Sequence, residues 1–147
     1  MSVATLPALR IERTFEATID EVFAAWTRPD LLARWFAPGE LQAQVELLEP
    51  RPGGGYRIAM EEAAAGKTHV IAGRFLELDP PHRLVLSWQW QEEGSYESRV
   101  TVELAQTDSH PPTTVLTLVH DGLRDAGAIE AHRHGWNGCL DKFPCRQ

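Results

Sequence analysis

Apolar residues recur along this chain at every second position, then at every third or fourth, then at every second again, and finally at helical spacing. Leu9, Ile11, Arg13 and Phe15 alternate with Arg10, Glu12 and Thr14 after a frayed start over residues 1–7, which predicts a strand. The period then lengthens. Thr18 with Glu21 makes a capping box, and Ile19, Val22, Phe23 and Trp26 give one apolar helical face. Pro29, Leu31, Leu32, Trp35 and Phe36 predict a second short helix, closed by Ala37-Pro38-Gly39.

Alternation returns as a meander. Val45 to Glu49 reads as a strand and Pro50 to Gly55 as a turn that needs positive φ, with the next strand starting at Tyr56, Ile58 and Met60. A loop over Ala63 to Gly66 leads into a long strand, Thr68 to Asp79, with Gly73 marking a bulge or bend. After the Asp79 to His82 turn, Leu84, Leu86, Trp88 and Trp90 share one face of a strand, and Ser98, Val100, Val102 and Leu104 one face of another. The polar loop Gln106 to Pro112 precedes the strand Thr114 to His120, where Leu116, Leu118 and His120 align. Six consecutive strands flanked by helices make an α+β meander that has to curve.

The last segment, Asp125 to Phe143, is a one-sided helix with Asp125 as N-cap and Pro144 as its stop. Ile129, His132, Trp136, Cys139, Leu140 and Phe143 form its apolar stripe. Beside that stripe runs a row of small residues, Ala128, Ala131, Gly135 and Gly138. Each interior glycine costs roughly 1 kcal/mol relative to alanine, so the row marks either a close backbone approach or a hollow.

Composition narrows the classes. At 147 residues the chain reads as one domain spanning 1–147. No apolar run reaches membrane-spanning length and the first residues lack a signal peptide's apolar core, which gives an expected cytoplasmic location and no membrane partner. A net charge of −7 with no basic cluster disfavours nucleic-acid binding. Cys139 and Cys145 read as free thiols.

The segments RTFEATIDEVFAAWTRPDLLARWFAP, LEPRPGGGYRI, GRFLELDPPHRLVLSWQW, TVLTLVHDGL and HRHGW, in this order, resemble the activator of heat-shock protein 90 ATPase homologue-like family of the START-like (SRPBCC) superfamily. The resemblance covers Arg10 to Phe143 and implies a helix-grip fold: a curved antiparallel sheet of about seven strands around a long C-terminal helix, with two short helices after the first strand. It also implies a hydrophobic cavity between sheet and helix. Relatives commonly continue the terminal helix, whereas Pro144-Cys145-Arg146-Gln147 follow it here, so one end of the cavity is expected to be more open or closed by a second subunit in a homodimer.

Within that implied space, Trp35, Phe36, Tyr56, Met60, Trp88, Trp90, Leu118, His120, His132, Trp136 and Cys139 are the candidate ligand-binding residues. Aromatic faces suit flat apolar ligands. His120 and His132 are groups able to titrate near neutral pH, and each reads either as a ligand contact or as a core histidine bonded to a backbone carbonyl or to a partner such as Ser98 or Tyr56. His134 reads as an exposed pair with Glu130. No carboxylate or cysteine is spaced with the histidines to complete a metal site, and no nucleophile elbow or phosphate loop is present, so neither metal nor cofactor is expected. The expected function is binding of a small hydrophobic or amphipathic ligand. The alternatives are a chaperone-interacting protein and a cyclase- or hydrolase-type cavity enzyme using His120 and His132.

Overall fold

The computed structural model describes residues 7–147, so the frayed start read for residues 1–7 lies, up to residue 6, outside the described residues. The order is β1 (Leu9–Phe15), α1 (Ile19–Thr27), α2 (Pro29–Leu32), β2 (Gln42–Leu48), β3 (Gly55–Glu62), β4 (Lys67–Asp79), β5 (Arg83–Trp90), β6 (Ser98–Gln106), β7 (Thr114–Asp121) and α3 (Ala126–Leu140). All seven strands form one antiparallel sheet in the order β1-β7-β6-β5-β4-β3-β2. The meander wraps back so that β7 pairs with β1, and α3 lies against the buried face.

Register lines up two apolar rows beneath the helix. Ile11, Leu118, Val102 and Leu84 are cross-strand neighbours on β1, β7, β6 and β5. The next row runs Leu9, His120, Val100, Leu86 and Phe75, so His120 is the polar member of a hydrophobic line. Bulges between Val45 and Leu47 and between Phe75 and Glu77 accompany the curvature. Gly73 is not itself the bulge. A side chain there would put its Cβ 2.1 Å from the Ser87 carbonyl oxygen, so the strand needs glycine for the approach of β5.

Helix starts follow the local chemistry. The Thr18 hydroxyl accepts from the Glu21 amide and the Glu21 carboxylate accepts from the Thr18 amide, completing the capping box. Asp125 caps α3 by accepting from the Ala128 amide. Two helices end sooner than their apolar spacing predicts. The second short helix stops at Leu32, and Trp35 and Phe36 follow it in a turn, both buried. α3 ends at Leu140 rather than Phe143, and its last amide bonds tighten to three-residue spacing at Lys142 and Phe143. The carbonyls of Asn137 and Leu140, which accept from the Asp141 and Phe143 amides, also accept from the side chains of Arg13 and Gln147.

Near Pro144 the last residues fold back onto the end of β1. Phe143 stacks on Phe15 at 4.3 Å and packs against Trp35, while the Glu16 amide donates to the Arg146 carbonyl at 2.6 Å. Among the described residues, no helix is long and apolar enough to cross a membrane.

Candidate functional site

The stripe of α3 meets the sheet as its period requires: Ile129, Trp136, Cys139 and Leu140 are buried, and His132 is half-buried. Beside that contact lies a cavity of about 370 Å³. Its walls are Trp88 and Trp90 of β5, Met60 of β3, Phe36 and Pro38 after α2, and Ala131, His132, Gly135, Trp136 and Cys139 of α3. His134 stands exposed at its rim, apart from Glu130, whose carboxylate pairs with Arg133 instead of forming the expected contact.

The small-residue row divides at this cavity. A Cβ at Gly135 would meet nothing within 4 Å, so this glycine leaves space open. At Gly138 the same atom would stand 2.8 Å from the Pro38 side chain and 3.3 Å from its backbone, so here a second backbone approaches closely. Gly138→Leu is therefore expected to cost about 1–3 kcal/mol in a urea titration, the range of core overpacking.

Four candidates stand behind the wall. Trp35 is fully buried, donates from its indole to the Ala25 carbonyl at 2.9 Å and packs edge-on against Trp26. Tyr56 donates to the Ser87 carbonyl, and burial raises its phenol above the ordinary value. Leu118 lies in the inner apolar row, and His120 is fully enclosed. Pro38, Ala131 and Gly135 join the wall. Of these only the small-residue row carried a sequence signal, as the approach of Pro38 depends on how the loop after α2 folds back.

The two imidazoles lie 4.9 Å apart, centre to centre, and each is committed on both nitrogens. Trp136 donates its indole N–H to His120 Nδ1 at 3.1 Å, which leaves the proton on Nε2, 2.8 Å from the Ser98 hydroxyl. Ser98 in turn donates to the Trp88 carbonyl at 3.4 Å. Trp90 donates to His132 Nε2 at 3.0 Å, and His132 Nδ1 donates to the Ala128 carbonyl at 2.8 Å. The partners fix each ring in one tautomer, with both nitrogens engaged and no lone pair left over for a substrate proton. Burial first, and the neighbouring His132 second, push the His120 imidazole down to about 3. Burial pushes the Cys139 thiol up to about 12, partly countered by Lys142. A thiol so placed is a packing group rather than a nucleophile.

Lys142, two residues beyond the helix end, carries no periodicity signal. Its ammonium donates to the carbonyls of Ala37, Gly39 and Leu41 at 2.6, 3.1 and 3.1 Å, pinning the loop that carries Pro38 over the cavity. Among the described residues, no group of three or more His, Cys, Asp and Glu is placed to hold a metal ion. The two described cysteines are free thiols.

The fold has solved counterparts. A Chromobacterium violaceum protein is 28% identical, with a TM-score of 0.85 over 93% of this chain and 94% of its own. The AHSA1 protein of Silicibacter pomeroyi is 25% identical, with a TM-score of 0.80 over 92% of this chain and 93% of its own. DynU16, described as a protein in the dynemicin biosynthetic locus, shares the fold at 20% identity and a TM-score of 0.73, covering 93% of this chain and 45% of DynU16. No curated protein matches. The family described as Activator of Hsp90 ATPase homolog 1-like protein matches residues 16–144, in agreement with the sheet, the two short helices and the terminal helix, and the chain belongs to that family.

Proposed function

We propose that this protein is a non-enzymatic binding module, one domain over residues 1–147, that holds a small hydrophobic or amphipathic molecule between β5 and α3. The observation that carries the reading is the cavity of about 370 Å³ with no Asp, Glu, Lys or Arg in its wall, a volume within the usual range of about 300–1,000 Å³ for small-molecule sites. Phe36, Met60, Trp88, Trp90, His132, Trp136 and Cys139 would touch the ligand. Trp35, Tyr56, Leu118 and His120 would hold the wall in place from behind.

The cavity-enzyme reading needs a free acid or base. His120 and His132 both spend their acceptor nitrogens on indole N–H groups, so the geometry favours binding over turnover. A chaperone contact, the reading the family's name suggests, would use an outer surface rather than this interior.

Native mass spectrometry of the purified protein, followed by extraction, tests the proposal. The expected result is an adduct with the mass of a small molecule that a protein carrying Gly135→Leu does not retain. A clean apo mass, together with no saturable binding of apolar dyes, would overturn it.

A further inference from the structure

We infer that the ligand is a neutral ring compound bearing a hydrogen-bond acceptor oxygen, and that the indole N–H of Trp88 is the group that selects it. This rests on the proposed binding site and adds what that site recognises. Three features of the wall carry the inference.

The first is charge. No cationic side chain lines the cavity, and both nitrogens of His132 are engaged, Nδ1 with the Ala128 carbonyl and Nε2 with Trp90. An ionised carboxylate or phosphate entering this space would lose its water and gain no counter-charge, a heavy penalty for a buried ion.

The second is shape. Trp88 is packed edge-on by Trp90 at 5.6 Å and tilted against Trp136 at 5.0 Å, while Phe36 stands 5.8 Å away. Gly135 contributes no side chain on the facing helix, so between His132, Trp136 and Cys139 the hollow reaches bare backbone opposite the ring surfaces of Trp88 and Trp90. Such a slot accepts a planar ring system in preference to a coiled acyl chain.

The third is an unused donor. The other indole N–H groups of the wall are spent, Trp90 on His132 and Trp136 on His120. Trp88 is 4% exposed, and its Nε1 has no hydrogen-bond partner among the described residues. Indole nitrogen donates and cannot accept, so the matching ligand group is an acceptor: a ketone, ether or hydroxyl oxygen. The nitrogen is covered by the wall, so pairing with a ligand oxygen requires the Trp88 ring to turn toward the cavity it lines. That turn exchanges an unsatisfied buried donor for a paired one.

The test uses three naphthalenes of similar outline: acetylnaphthalene, isopropylnaphthalene and naphthoate, each titrated against the full chain by calorimetry. The ketone is expected to bind about three- to tenfold tighter than the hydrocarbon, the worth of one net hydrogen bond, and naphthoate at least about a hundredfold weaker than the ketone. In Trp88→Phe the ketone and hydrocarbon should bind equally. Because that variant could also disturb packing, the unsubstituted protein labelled with ¹⁵N-tryptophan supplies a second reading: one indole N–H resonance should move downfield with the ketone and stay with the hydrocarbon. Tightest binding by naphthoate, or a ketone preference that persists in a folded Trp88→Phe protein, overturns the inference while leaving the cavity reading intact. No binding of any of the three overturns both.

Discussion

Gly135→Leu is expected to abolish ligand binding while leaving the protein as stable as before, or more so. Gly135 faces the cavity, and a Cβ built there meets no atom within 4 Å. A leucine at this position would extend into the 370 Å³ hollow and occupy the space a ligand needs. Within a helix, replacing glycine by a residue of good helical propensity adds about 0.5–1 kcal/mol, and burying the new side chain against Trp88 and Trp136 adds to that. Binding of an apolar dye, read through quenching of the tryptophans around the cavity, should fall by at least about a hundredfold, the loss expected when a bound group's volume is denied outright. Thermal melting should be unchanged or a few degrees higher. Gly138→Leu is the matched control, since it lies one turn along the same row but meets Pro38. Stability should fall there, with binding affected only through the displaced loop. If both variants lost stability equally, the two glycines would share one packing role and the assignment of Gly135 to a hollow would be wrong.

The second large effect is an acid-sensitive stability set by His120. Its imidazole sits in an apolar row, fully enclosed, with its pKa lowered from 6.5 to about 3. A histidine whose folded value is depressed binds its proton more readily in the unfolded chain. Its contribution to stability is therefore complete above 6.5, declines as pH falls below that value, and levels off near 3. Lowering the pH from about 7.5 to about 5 should cost about 2 kcal/mol through this group alone, before most carboxylates begin to titrate. In His120→Gln, which can still donate to Ser98, that slope should vanish even though the variant starts from a lower stability because Trp136 loses its acceptor. Denaturant titrations of both proteins at several pH values measure the difference. Parallel curves would mean that His120 is protonated at no energetic cost, contrary to its enclosure.

Much of the fold was legible in the residues because it depends on spacing. The alternation of Leu84, Leu86, Trp88 and Trp90 specified which face of β5 turns inward, and the stripe on α3 specified the helix register, with Trp136 buried as that stripe requires. Candidate-site residues were legible only as faces. Trp35 and Phe36 are adjacent in sequence and both buried, yet Phe36 borders the cavity and Trp35 lies behind it with its indole on the Ala25 carbonyl. Hydrophobic period assigns a residue to the interior, and cannot say whether that interior is filled.

Local sequence by itself determined the strands, the capped helix starts, the inward faces and the row of small residues on α3, because each follows from near-neighbour geometry and the cost of burying polar groups. Tertiary structure alone decided which small residue became a hollow and which a contact. It took the loop after α2 folding back, pinned by Lys142, to bring Pro38 onto Gly138 while leaving Gly135 uncovered. It likewise took the pairing of β7 with β6 to set His120 beside Ser98, and the docking of α3 to set Trp136 on its other nitrogen. Those contacts join residues far apart in the chain, and their geometry is set by the relative placement of whole elements, which no local period encodes.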